Sequence, residues 1–183
     1  MSRIRPVDEH TADPEAVELL NSVRKSMGAV PNLIATMARS PAVARAYLGF
    51  AQALAGCSGS LPFRLREQIA LVVGEANACG YCTAAHTVRG LRAGLTEEEA
   101  KEARRASSRD GKERATLAFA RKVVQDRGVV SDDDVEQLRR AGYTDGEVGE
   151  IVANVALNIF TNYFNHVAGT ELDFPPAPDL AAS

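Results

Sequence analysis

Two cysteines three positions apart, Cys79 and Cys82, are followed after four residues by His86 and preceded by a carboxylate at Glu67. On a helix beginning near Gly80, positions three and four apart are neighbours, so Cys79, Cys82 and His86 share one face. Helical side chains lean toward the N-terminus, which tilts His86 at Cys82. The spacing predicts a thiol with a base beside it and a second thiol within bonding reach. Free N–H groups and the positive dipole end at a helix start favour thiolate, the form that attacks peroxides and disulfides. One helical turn also brings two α-carbons within the span a disulfide permits. A hydroperoxide would convert one thiolate to sulfenic acid, and the other thiol would condense with it to a disulfide. The residues therefore predict a redox-active dithiol enzyme, foremost a peroxidase. An external thiol must reduce it, because the chain has no flavin or nicotinamide fingerprint, and no cofactor or metal is expected.

Other uses of the same residues stay open. A zinc site from Cys79, Cys82 and His86 lacks a fourth ligand and a second Cys-x-x-Cys. Covalent haem is discarded, because it would need histidine directly after the second cysteine, where Thr83 stands. Two small buried cysteines in a helix could also be purely structural. Glu67 falls on the otherwise apolar stripe of Phe63, Ala70, Leu71 and Gly74, so it either pairs with a partner or carries a raised pKa. The plainer reading of Glu67 is a salt bridge to Arg64 or Arg66, and Glu75 is the second choice as proton carrier. Cys57 reads as a bystander thiol, His10 as exposed, and His166 as a cation at a helix C-terminus. Asn154, Asn158, Asn162 and Asn165 recur on one helical face, where interhelical or oligomer contacts are the first expectation. Arg104, Arg105, Arg109 and Lys112 read as a solvated basic face.

The elements that must position these groups read as helices throughout. An extended arm over 1–12 precedes a helix capped by Asp13 and Pro14 and ended by Gly28. A turn at 28–33 leads to a short helix, and Ser40-Pro41 opens another to about 56. Pro62 opens the segment carrying Glu67, a break at 77–79 separates it from the dithiol helix, and Gly94 closes that helix. Thr96 with Glu99 and Thr144 with Glu147 are capping boxes, and Ser131 before three aspartates is a further cap. Helices are expected over about 97–107, 111–126, from 131 onward, and 144–168. No period-two alternation occurs, so the fold class is all-α. The expected organisation is an arm (1–12), one helical domain (13–173) and a proline-rich tail (174–183), loose or draped over a neighbour. Glu67 to His86 has the same spacing as Glu147 to His166, but the match between the two segments is barely above chance, so a degenerate internal repeat is left open.

The chain has 183 residues, 45% hydrophobic and 25% charged, with a net charge of −3. That fits one domain with a real core and argues against nucleic acid as a partner. The first residues lack the apolar core of a secretory signal, and no apolar run is long enough to span a bilayer. With three cysteines, the expectation is a reducing cytoplasm and no membrane association.

The pattern Glu-x11-Cys-x2-Cys-x3-His, met by Glu67, Cys79, Cys82 and His86, resembles the alkylhydroperoxidase (AhpD-like) core of the carboxymuconolactone decarboxylase superfamily. The flanks LPFRLREQIALVVGEANACGYCTAAHT, GAVPNL and VANVALNIFTNYFNHVAGTELDFP resemble its peroxidase-related branch. The resemblance implies an all-helical bundle assembling as a homo-oligomer, a trimer or hexamer. It implies that Cys82 meets a small hydroperoxide, Cys79 resolves it, and His86 with Glu67 relays protons. It further implies a thioredoxin-like or lipoyl-bearing protein as reductant. Tyr81 stands where the best-studied branch has histidine, which shortens the expected relay. Competing functions are disulfide exchange or redox sensing without turnover, a decarboxylase acting on a carboxylated lactone, and a non-enzymatic helical oligomer.

Overall fold

Caps and breakers decide where this chain turns. The computed structural model describes residues 2–56 and 59–180, and among them every regular element is an α-helix. α1 (Pro14–Met27) starts where the Asp13 carboxylate accepts from the Glu15 N–H, and it stops at Gly28 in the left-handed region (φ 81°). α2 (Asn32–Met37) and α3 (Pro41–Ala55) follow. α4 (Phe63–Ala76) and α5 (Gly80–Arg92) carry the expected functional residues. Reciprocal capping boxes open α6 (Glu97–Arg104) at Thr96/Glu99, α8 (Asp132–Arg140) at Ser131/Asp134 and α9 (Asp145–Ala168) at Thr144/Glu147. Asp110 caps α7 (Gly111–Gln125). Two expected bounds shift slightly: Pro62 is the N-cap of α4 and lies outside the helix, and α6 stops short of 107 because Ala106 turns to φ 56°. Gly94, at φ 91° just past the Ala93 cap, closes α5 as expected.

α4 is the central helix and packs against α5, α6, α7 and α9. One face of it joins Ile69, Val72 and Val73 to Leu117, Leu138, Ile151 and Val155 in a dry cluster. A second cluster gathers Leu20, Ile34, Met37 and Tyr81 around the two sulfurs. Each such aliphatic side chain contributes about 1.5–3 kcal/mol on burial. The dithiol is thus embedded in a core that holds its rotamers. Gly74 lets α5 approach closely, since a Cβ there would meet Thr83 Cγ2 at 3.3 Å and Cys82 Cβ at 3.4 Å.

The chain ends are tied to the bundle. In the arm, the Arg3 and Ile4 amides donate to Ala168 O, and Val7 donates to Ala35 O. The tail is not loose as far as Leu180: Arg104 and Arg105 on α6 donate to the carbonyls of Pro178 and Leu180. Two of the four residues read as a solvated basic face therefore hold the tail in place, and Arg104 also pairs with Glu75 at 2.8 Å.

The shared Glu-to-His spacing does not give a shared local shape. Residues 67–86 bend at 77–79, with Ala78 at φ 52°, whereas 147–166 lie inside one uninterrupted helix. The spacing is shared and the shape is not. Among the described residues, no helix is long and apolar enough to cross a membrane.

Candidate active site

The break after α4 makes Cys79 the N-cap of α5, where its sulfur accepts from the Cys82 N–H at 3.4 Å. The Cys82 thiol donates to the Cys79 sulfur at 2.8 Å, and both are free thiols, each 2% exposed. Asn165 reaches in from α9, donating its amide N–H to the Cys82 sulfur at 3.3 Å and standing 4.0 Å from that of Cys79. The bond from Cys82 lowers the Cys79 thiol to about 7 against the cost of burial, assisted by the Cys82 amide, His166 and Asn165. Donating that bond, together with burial and the Cys79 charge, pushes the Cys82 thiol up. Ionisation of the pair thus favours Cys79, with the remaining proton held between the two sulfurs.

Glu67 is 3% exposed and accepts from His86 Nδ1 at 2.6 Å and from Arg89 Nη2 at 2.8 Å. Burial pushes its carboxyl up, but the His86 and Arg89 charges and hydrogen bonds outweigh burial and hold it below the usual range. An ionised Glu67 fixes the proton on Nδ1 and leaves Nε2 as the free ring nitrogen. The expected pairing to Arg64 or Arg66 is not made. Arg64 turns to Glu99 and Glu113, and Arg66 to the carbonyls of Leu54 and Leu61. Arg89, one turn beyond His86 on α5, takes that place. His86 makes no hydrogen bond to either sulfur among the described residues, so its one direct partner is Glu67.

Cys82, His86, Glu67 and Arg89 meet across a cavity of about 790 Å³. Its walls include Tyr47, Phe63, Leu54, Leu157 and Phe174, with Asn154 and Asn158 on the α9 side. Burial foremost raises the Tyr47 phenol, with the charges of Cys82 and Glu67 adding to it against Arg89. Tyr47 thus stays a proton donor beside the dithiol. Cys79 opens instead on a separate recess of about 200 Å³, shared with Glu75, Gly80 and Arg104. The two cysteines therefore border different openings.

Sequence reasoning left three of these groups unassigned. Tyr47 and Arg89 lie on helical faces that no motif marks. Asn165 belonged to a noted amide stripe, and that stripe divides its work. Asn162 accepts from Asn77 Nδ2 and Asn165 meets the sulfurs, as interhelical bonding predicts, while Asn154 and Asn158 donate to carbonyls of their own helix. Tyr81 is turned from the relay: its hydroxyl accepts from the Leu33 N–H, its ring stacks edge-on against Phe174, and burial raises its phenol. His166 bonds to Asn77 O at 2.8 Å, so it does more than complement a dipole. His10 is exposed, and Cys57 lies outside the described residues. Among the described residues, no cluster of three or more His, Cys, Asp or Glu could hold a metal ion.

Residues 41–126 match the carboxymuconolactone decarboxylase family. No curated protein matches the chain. Among solved structures, the chain is similar to an uncharacterized peroxidase-related protein with an alkylhydroperoxidase AhpD core from Ralstonia eutropha JMP134. That match has a TM-score of 0.84 at 27% identity, covering 94% of this chain and 92% of that one. An uncharacterized peroxidase-related protein from Silicibacter sp. TM1040 aligns with a TM-score of 0.79 at 23% identity, covering 92% of each. A cysteine-to-alanine variant of the debrominase Bmp8, in complex with 2,3,4-tribromopyrrole, aligns at 0.78 and 23%, covering 94% of this chain and 92% of that one. All share the helical fold described above.

Proposed function

We propose that this chain, an AhpD-like member of the carboxymuconolactone decarboxylase superfamily, whose members include enzymes, is a thiol-dependent hydroperoxide reductase serving antioxidant defence. The reading is carried by two free sulfurs 2.8 Å apart at a helix start, one of them on the wall of a large cavity. A hydroperoxide entering that cavity meets Cys82. As the shared proton passes to Cys79, the negative charge moves to Cys82, whose sulfur attacks the terminal peroxide oxygen. The O–O bond breaks, Cys82 becomes a sulfenic acid, and the departing alkoxide leaves as alcohol with a proton from Tyr47, or from His86 once its Nε2 has gained one from solvent. Cys79 then attacks the Cys82 sulfur, the S–O bond breaks, and water leaves as the disulfide forms.

Regeneration needs an external dithiol, for which a thioredoxin-like or lipoyl-bearing protein is the expected source. The recess beside Cys79 gives such a thiolate a path to one sulfur, with Cys82 as leaving thiolate. The apolar stripe of Phe160, Tyr163 and Val167 on α9 is exposed and supports a homo-oligomer, trimer or hexamer, in a reducing cytoplasm. Light scattering on the purified chain tests the assembly.

Hydroperoxide consumption with dithiothreitol tests the chemistry. Cys82→Ser is expected to abolish turnover, and Cys79→Ser to leave one round followed by over-oxidation to sulfinic acid. Turnover undiminished in both variants would remove the dithiol mechanism. Disulfide exchange or sensing without peroxide turnover would instead show insulin reduction or mixed-disulfide formation alone. A lactone decarboxylase would retain carbon dioxide release in both serine variants. A second substrate reading follows from the aromatic walls near Cys82. The same dithiol could replace a carbon–halogen bond of a halogenated aromatic with carbon–hydrogen, supplying two electrons and releasing halide and a disulfide. Bromide release from a bromopyrrole, without hydroperoxide consumption, would favour that reading.

A further inference from the structure

The cavity is larger than a small hydroperoxide needs and falls within the usual range for sites that enclose organic ligands. Three guanidiniums stand on its wall, those of Arg66, Arg89 and Arg92. Arg89 is neutralised by Glu67. Among the described residues, Arg66 donates to the carbonyls of Leu54 and Leu61 and stacks over the Phe63 ring, with no carboxylate partner. Arg92 is exposed and has no polar partner among the described residues. With Glu67 and Asp173 as the carboxylates on the same cavity, the three guanidiniums leave a surplus of one positive charge there, in a chain whose net charge is −3.

The α9 wall has other chemistry. Asn154 and Asn158 are buried and line the cavity, each spending one amide N–H on its own helix, at Glu150 O and Asn154 O. Each amide keeps a carbonyl oxygen that can accept from an O–H. Between these walls the surface is mainly apolar. Along α5, Cys82 and Arg92 are ten residues apart, about 15 Å of helix axis at 1.5 Å per residue.

We infer that the substrate is an amphipathic anion: an organic hydroperoxide with a long apolar body, its carboxylate seated by Arg92 and Arg66 and its peroxide at Cys82. The inference rests on the hydroperoxide reading above and narrows it. The carboxylate replaces missing counter-charge, the apolar chain covers Leu54, Phe63 and Leu157, and the peroxide O–H has an acceptor on the α9 wall. Hydrogen peroxide fills only the last of these sites.

Linoleic acid hydroperoxide and its methyl ester, turned over with dithiothreitol by wild type and Arg92→Glu, test this in one assay. Wild type is expected to favour the acid in kcat/KM by roughly five-fold, the scale of one partly exposed ion pair. Arg92→Glu should erase or invert that preference, and circular dichroism checks that the variant is folded. Calorimetric binding of dodecanoate against dodecanol, below micelle-forming concentrations, should show the same preference and the same loss. Equal turnover of acid and ester by wild type, or a preference unmoved in folded Arg92→Glu, overturns the inference while leaving the peroxidase reading intact. No consumption of either hydroperoxide, with dodecanoate binding still dependent on Arg92, overturns the peroxidase reading and leaves the anion site standing.

Discussion

Residues 67–86 and 147–166 each open on glutamate and end on histidine nineteen positions later. In the first segment the chain bends at 77–79, α5 folds back on α4, and Glu67 meets His86 at 2.6 Å. In the second the helix runs on, so Glu147 and His166 stand about 28 Å apart along the axis. Glu147 closes a capping box with Thr144, and His166 bonds to Asn77 O. Identical residue types at identical spacing thus do unrelated work. The local turn decides between a buried ion pair and two separate helix-end contacts. The unbroken segment still serves the broken one, because its amide stripe brings Asn165 to the sulfurs.

Glu67→Gln against Glu147→Gln breaks that contrast most sharply. Removing the Glu67 charge leaves Arg89 without its counter-ion and weakens the hydrogen bond that holds His86. The expected loss is about 2–3 kcal/mol, below the usual figure for breaking a buried pair because Arg89 is 45% exposed. The Glu67 carboxyl is held below its ordinary 4.5. Its stabilisation is therefore complete above that pH and fades as pH falls through the lowered folded value. Urea unfolding should show the wild-type advantage over Glu67→Gln at neutral pH and its shrinkage in acid. Glu147→Gln, which retains part of its cap, should cost less than about 1 kcal/mol. Peroxide turnover should fall by about 10²-fold in the first variant and hardly in the second. Equal losses in both would mean that the bend at 77–79 confers nothing special on Glu67.

The features readable from sequence were those with local causes. Asp13, Thr96, Ser131 and Thr144 announce helix starts because their side chains bond amides two or three residues on, and all four do so. The all-α class follows from such signals, and the Cys79–Cys82 proximity from a single helical turn. What escaped was set by packing between distant helices. Arg89 displaces Arg64 and Arg66 at Glu67 because α5 lies across α4, an angle that no spacing encodes. Tyr47 reaches the dithiol from α3 for the same reason. The tail looked free because proline excludes regular structure, yet two arginines on α6 hold its carbonyls.

A smaller effect is expected from the contribution of α9. Asn165 donates to the Cys82 sulfur at 3.3 Å, and the Cys79 thiol sits near 7 where an ordinary one sits at 9.0. Asn165→Leu keeps the volume and removes the donor, so the alkylation midpoint should rise by about half a unit to one unit. Iodoacetamide labelling at neutral pH would slow accordingly. Asn158→Leu, whose amide bonds only its own helix, should leave the midpoint in place. A midpoint unmoved by Asn165→Leu would confine thiol activation to the start of α5.

The smallest effect isolates the bend itself. Ala78 adopts φ 52°, a left-handed conformation costing a residue with a Cβ about 1–2 kcal/mol. Glycine removes that cost and adds back part of it as unfolded-chain entropy, so Ala78→Gly should stabilise by about 0.5–1 kcal/mol. The corresponding position eighty residues on is Asn158, in the middle of α9, where glycine gains no conformational relief. Asn158→Gly should therefore destabilise, by about 0.5–1 kcal/mol plus whatever its lost amide bond contributes. Opposite signs in thermal unfolding would show that the two segments differ in backbone demand as well as in side chains. Destabilisation by glycine at both positions would mean that Ala78 is not strained, and that contacts across α4 and α5 alone hold the bend.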